Sequence, residues 1–149
     1  MVAMKQIITV GFLASLFLLG CGRPPVKWVG IWEGEDKKVV RPGALEDDIA
    51  YTLRKVTLTI RSDATFELVR AGIPYAGNVT FGDERCFLKV LNVLDRRVEQ
   101  VDPTAGSRSW EIRLEMSKDG TASLVDAHSL TAETVVLRKL PPAGEETRN

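Results

Sequence analysis

Trp110-Glu111-Ile112-Arg113-Leu114-Glu115-Met116-Ser117-Lys118-Asp119-Gly120-Thr121-Ala122-Ser123-Leu124 is the stretch whose reading decides the fold. From Trp110 to Met116 apolar and charged residues alternate without a break. That is the pattern of a strand with one dry face and one wet face, because successive side chains leave a strand on opposite sides. Asp119-Gly120 then supplies the residues a tight hairpin needs, since its central positions require the left-handed backbone that glycine adopts freely. Ala122 and Leu124 return on the same face, so the segment predicts an antiparallel pair.

The same period of two recurs outward from this hairpin. Val56-Thr57-Leu58-Thr59-Ile60-Arg61 alternates strictly, and after Ser62-Asp63-Ala64 the pattern resumes in Thr65-Phe66-Glu67-Leu68. Residues 133–140, with Val135, Val136 and Leu137, form a last strand stopped by Pro141 and Pro142, which cannot continue a ladder. Residues 28–34, 77–81 and 86–94 bring the expected number of strands to eight. In the last of these the periodicity is ambiguous: Phe87, Val90, Leu91, Leu94, Val98 and Val101 also fit one helix face with Asp83 as its cap. The strand reading is favoured, because Gly82-Asp83 makes a turn and the strands on either side need a neighbour. Residues 41–50 read as a polar loop or short helical turn, and Gly72 to Gly77 as a connector. Within that connector Ile73 and Tyr75 either fold over the rim as core or form a contact patch. Eight short antiparallel strands in sequence predict an all-β, up-and-down eight-stranded barrel, a form that removes sheet edges by closing on itself.

The N-terminus belongs to another class of signal. Residues 1–20 contain one lysine, Lys5, no acid, and a neutral, mostly apolar run from Ile7 to Leu19. Thirteen residues are too few for a helix to span a bilayer, which takes roughly 20, so the run is read as a signal peptide. Leu18-Leu19-Gly20-Cys21 resembles the lipobox of bacterial lipoproteins. The resemblance implies cleavage before Cys21, acylation of its thiol, and a membrane anchor. Gly22 is not the aspartate that such sorting rules associate with inner-membrane retention, so the resemblance favours the outer membrane where the organism has one. The expected organisation is then a signal peptide over 1–20, an extended lipidated tether over 21–27, the barrel over 28–140 and a disordered tail over 141–149.

Removing 20 residues from 149 leaves 129, enough for one domain with its own core. With Cys21 acylated, Cys86 has no partner for a disulfide. The mature chain sets 19 Lys and Arg against 20 Asp and Glu, a balance that gives no electrostatic case for nucleic acid.

Trp28-Val29-Gly30-Ile31-Trp32-Glu33-Gly34 contains the Gly-x-Trp that opens the first strand of lipocalin-type barrels, and the chain resembles small lipocalin-like lipoproteins with an Asp-Gly-Thr-Phe-type hairpin. Here that hairpin reads Asp63-Ala64-Thr65-Phe66. Ala64 stands where glycine is usual, so the turn either avoids positive φ or carries about 1 kcal/mol of strain. The resemblance implies structural roles for Trp32, as the plug of the closed end, and for Arg138, as the cation packed across its indole.

Chemistry is sparse. His128, the only histidine, lies near Asp126 and Ser129 at no recognisable catalytic spacing. Cys86 sits in an apolar run and reads as a small hydrophobe. The acids Glu33, Glu35, Asp36, Glu46, Asp47 and Asp48 have no calcium-loop spacing, and neither a metal nor a cofactor is expected. The expected function is therefore a non-enzymatic binding module in the envelope. Val56, Leu58, Ile60, Phe66, Leu68, Ile112, Leu114 and Met116 would line a cavity for a small apolar ligand, or else fill the interior. The alternative is a scaffolding lipoprotein that docks an envelope protein through its exterior.

Overall fold

In the computed structural model, which describes residues 24–38, 40, 43, 46–102, 110–126 and 134–142, alternation becomes a closed barrel. The elements are β1 (Gly30–Glu35), α1 (Asp47–Arg54), β2 (Lys55–Ile60), β3 (Thr65–Arg70), β4 (Ile73–Phe81), β5 (Arg85–Val93), β6 (Arg96–Arg97), α2 (Val98–Val101), β7 (Glu111–Met116), β8 (Ala122–Asp126) and β9 (Val135–Lys139). Eight of the strands form a ring in the order β4, β3, β2, β1, β9, β8, β7, β5, closed by pairing of β5 with β4. The two-residue β6 is a short hairpin arm on β5. Every pairing is antiparallel.

Residues 86–93 fall in β5, in agreement with the strand reading, and Leu94 begins the turn that follows it. Cys86, Leu88 and Val90 are buried while Leu91 and Leu94, which the helical face would have covered, are exposed. Only Val98 and Val101 of that face enter a helix, the single turn α2. The connector expected at Gly72 to Gly77 is instead mostly strand. Its residues from Ile73 onward pair with β3, and Ile73 and Tyr75 pack against the core. The Ala71-Gly72 turn, with φ of 52° and 75°, is tight enough to let pairing begin at once. At Ala76/Gly77 the register between β4 and β5 shifts by a bulge. There the backbones approach so closely that a Cβ on Gly77 would lie 1.9 Å from the Lys89 carbonyl oxygen.

Two hairpins share one device. The Asp63 carboxylate accepts from the Thr65 amide at 3.0 Å and hydroxyl at 2.6 Å, and Asp119 does the same for Thr121 at 3.0 and 2.7 Å. These hydrogen bonds favour the ionised form and hold both carboxyls below the usual range. Between each pair stands a residue with positive φ, Gly120 at 82° and Ala64 at 63°. The turn at Ala64 thus takes the strained alternative.

Trp28 and Trp32 are fully buried and close one end of the barrel. Trp28 Nε1 donates to the Gly82 carbonyl at 3.2 Å and Trp32 Nε1 to the Trp28 carbonyl at 3.0 Å, with the rings 6.3 Å apart. The cation over Trp32 is Lys139, 5.7 Å from the ring centroid, and not Arg138. Strand parity is the reason: Val135, Leu137 and Lys139 lie on one side of β9, whereas Arg138 is exposed on the other, opposite Glu33. The described part of the tether, residues 24–27, departs from the extended form expected of it. Trp28 N donates to the Pro25 carbonyl, and Lys139 Nζ holds the carbonyls of Val26 at 2.9 Å and Lys27 at 3.2 Å, so residues 25–28 turn against the barrel end. Residues 1–23, His128 and the tail beyond residue 142 lie outside the described residues.

Candidate functional site

Parity brings Val56, Leu58, Ile60, Phe66, Leu68, Ile112 and Leu114 together on the inside of the ring, where each is 0–1% exposed. Met116 packs half-buried against them. Side chains that no water can touch line no water-sized space. The barrel is filled at these positions, as an eight-stranded ring can be.

The apolar fill ends toward the rim opposite the tryptophans. Following the inward parity of β3 past Phe66 and Leu68 leads to Arg70, and that of β8 past Ala122 and Leu124 leads to Asp126. Asp36 holds the same phase just beyond β1. All three charged side chains are buried. Arg70 Nε donates to Asp36 Oδ2 at 3.0 Å, its Nη2 donates to the same oxygen, and its Nη1 reaches Asp126 Oδ2 at 3.5 Å. Charges removed from water in this way persist only when paired and hydrogen-bonded. Arg70 therefore acts as a tie across the rim, joining three strand ends that are not neighbours in sequence.

Tyr75 and Trp110 border this layer, their rings edge to face with centroids 5.5 Å apart. The Tyr75 phenol is pushed above its ordinary range, first by burial and then by the negative charge of Asp126, with Arg70 opposing. It stays protonated at neutral pH and can donate a hydrogen bond. A guanidinium, two carboxylates, a phenol and an indole make an oriented polar rim.

The acidic cluster singled out in the sequence is divided by parity. Glu33 pairs with Lys55 at 2.8 Å and Glu35 with Arg54 at 3.2 Å on the outside, while Asp36 turns in to Arg70. Among the described residues no group of three or more His, Cys, Asp or Glu could hold a metal ion. Cys86 is buried on the inner face of β5, and burial pushes its thiol up to about 12.

Sequence reasoning passed over Arg70 and assigned Asp36 and Asp126 elsewhere. The signal was present: a charged residue in the inward phase of a strand must find a partner. Comparisons with family models, curated proteins and solved structures find no match to this chain.

Proposed function

We propose that this chain is an envelope lipoprotein, anchored through acylated Cys21, whose lipocalin-like barrel serves as a docking module and not as a ligand carrier. The observation that carries this reading is the tight packing of the described inward side chains. The residues that would line a carrier's cavity fill it with their own side chains. An apolar ligand would have to displace packed core, which costs more than it returns. A partner protein needs no cavity. The surface available to it is the far rim, where Ile49 and Tyr51 of α1, Leu94 after β5 and Val101 of α2 are all exposed. The polar layer of Arg70, Asp36 and Asp126 beneath this rim would keep its shape fixed, so that a partner meets a preorganised surface.

Two measurements test the reading. Metabolic labelling with a radioactive fatty acid should mark the wild-type chain and fail on Cys21→Ser; equal label on both removes the anchor. Thermal melting of the purified protein with a graded series of long-chain fatty acids should give no shift. A ligand at a hundred times its Kd would add about 2.7 kcal/mol, a rise of several degrees. Such a rise would restore the carrier reading.

A further inference from the structure

The closed end of the barrel carries an apolar groove that the packing of the domain does not use. It has a volume of about 320 Å3 and is lined chiefly by Val26, Val29, Ile31, Leu140, Pro141 and Pro142, with the stem of Lys139 along it. Val26 is 83% exposed, Ile31 46% and Leu140 38%, so branched side chains are held facing outward where burial would be favourable.

We propose that this groove is a membrane-contact face, seated at the lipid headgroup–acyl boundary when the protein is anchored. The inference rests on the lipoprotein reading of Cys21. Four residues, Gly22 to Pro25, lie between Cys21 and Val26, and the five steps from one to the other, at about 3.5 Å each, reach no more than about 18 Å. The headgroup region of a bilayer accounts for about 6 Å on each side. A cysteine acylated in the bilayer therefore keeps this end of the barrel beside the lipid surface.

The described end of the tether is held against the barrel. Lys139 Nζ holds the carbonyls of Val26 and Lys27, Lys27 Nζ donates to the Asp83 carbonyl, and Trp28 Nε1 is bonded to the Gly82 carbonyl. The chain thus leaves the barrel beside the groove, and the exposed Val26 marks the side from which the anchor departs. Lys139 lines the groove as interfacial lysines often do, with its apolar stem beside apolar neighbours. A face of this kind sinks about 5–10 Å into the interface. The far rim, with Leu94, then points away from the membrane toward partners.

The test uses the full-length chain made in a bacterial host and reconstituted into vesicles of phosphatidylethanolamine and phosphatidylglycerol. Ile31→Cys and Leu94→Cys are each labelled with an environment-sensitive thiol fluorophore; Cys86 is buried and does not compete. Vesicles carrying a lipid-borne nitroxide near the headgroup should remove most of the emission from the label at 31, which should also be blue-shifted. Emission from the label at 94 should be unchanged. Equal quenching at both positions, or none at 31, overturns the face. A blue-shifted label at 31 that the nitroxide cannot quench also overturns it, because protein then covers the groove, either the C-terminal tail or a second copy. Fatty-acid label read on the same preparation separates the two ideas: acylated but unquenched protein removes the face alone, and unacylated protein removes the anchor and the face with it.

Discussion

Arg70 is the residue whose environment departs furthest from what its type prefers. A guanidinium inside a β-barrel is expensive to desolvate, and here it is offset by Asp36 and Asp126. Arg70→Met keeps the stem and removes the charge, leaving two buried carboxylates without their shared cation. Chemical denaturation should show a loss of about 3–5 kcal/mol, whereas Arg70→Met combined with Asp36→Leu and Asp126→Leu should recover most of it. If Arg70→Met alone unfolds at the parent's midpoint, the tie across the rim contributes nothing. Cys86 gives a residue-scale prediction in pH. Its thiol is raised from 9.0 to about 12 by burial, so between these values the unfolded chain releases a proton that the folded chain retains. The group has no effect below about pH 9, and above it stability falls by up to about 1.4 kcal/mol per pH unit as far as the folded value. Denaturation midpoints of the parent and of Cys86→Ala should therefore run parallel below pH 9 and converge above it.

At the scale of elements, the barrel depends on how closely strands can approach. The pairing of β4 with β5 closes the ring, and it does so through a bulge where Gly77 passes the Lys89 backbone with no room for a side chain. Gly77→Ala would have to separate these strands or shift the bulge, since the clash is with backbone and not with a flexible side chain. A loss of about 1–3 kcal/mol is expected, with faster amide hydrogen exchange along β4 and β5 than along β1 and β2. Uniform protection in the variant would mean that closure does not depend on this contact. The hairpins at Asp63 and Asp119 show the complementary case, in which a side chain satisfies the turn backbone locally and even Ala64 is held at positive φ.

For the whole molecule, the packing of the described inward side chains governs stability, and the docking reading rests on it. Leu114 pairs with Cys86 on β5 and Leu124 on β8 and is 0% exposed. Leu114→Arg places a charge at a fully buried position between apolar strand partners, at a cost of several kcal/mol. Circular dichroism and thermal melting should show loss of the cooperative transition. A variant that melted like the parent would mean that the interior has space to spare, and the docking reading would lose its basis together with the packing.

Strand parity was legible in the sequence because it is a local property. The alternation around Ile112 and Leu114, and around Val56, Leu58 and Ile60, fixed which side chains point inward. With eight such segments and short turns, an antiparallel barrel was the economical solution. Parity also held information that the family resemblance obscured. Val135 and Leu137 put Lys139, not Arg138, on the face of Trp32, and Phe66 and Leu68 put Arg70 inside. What parity could not give is distance across the ring. That Asp36, Arg70 and Asp126 meet depends on strand tilt and stagger, which closure of the whole sheet sets. The filling of the interior was equally beyond the sequence, because eight strands enclose a volume close to that of their own inward side chains. Whether such a barrel is packed or hollow turns on small differences in volume summed over strands far apart in the chain, and only the closed structure fixes that sum.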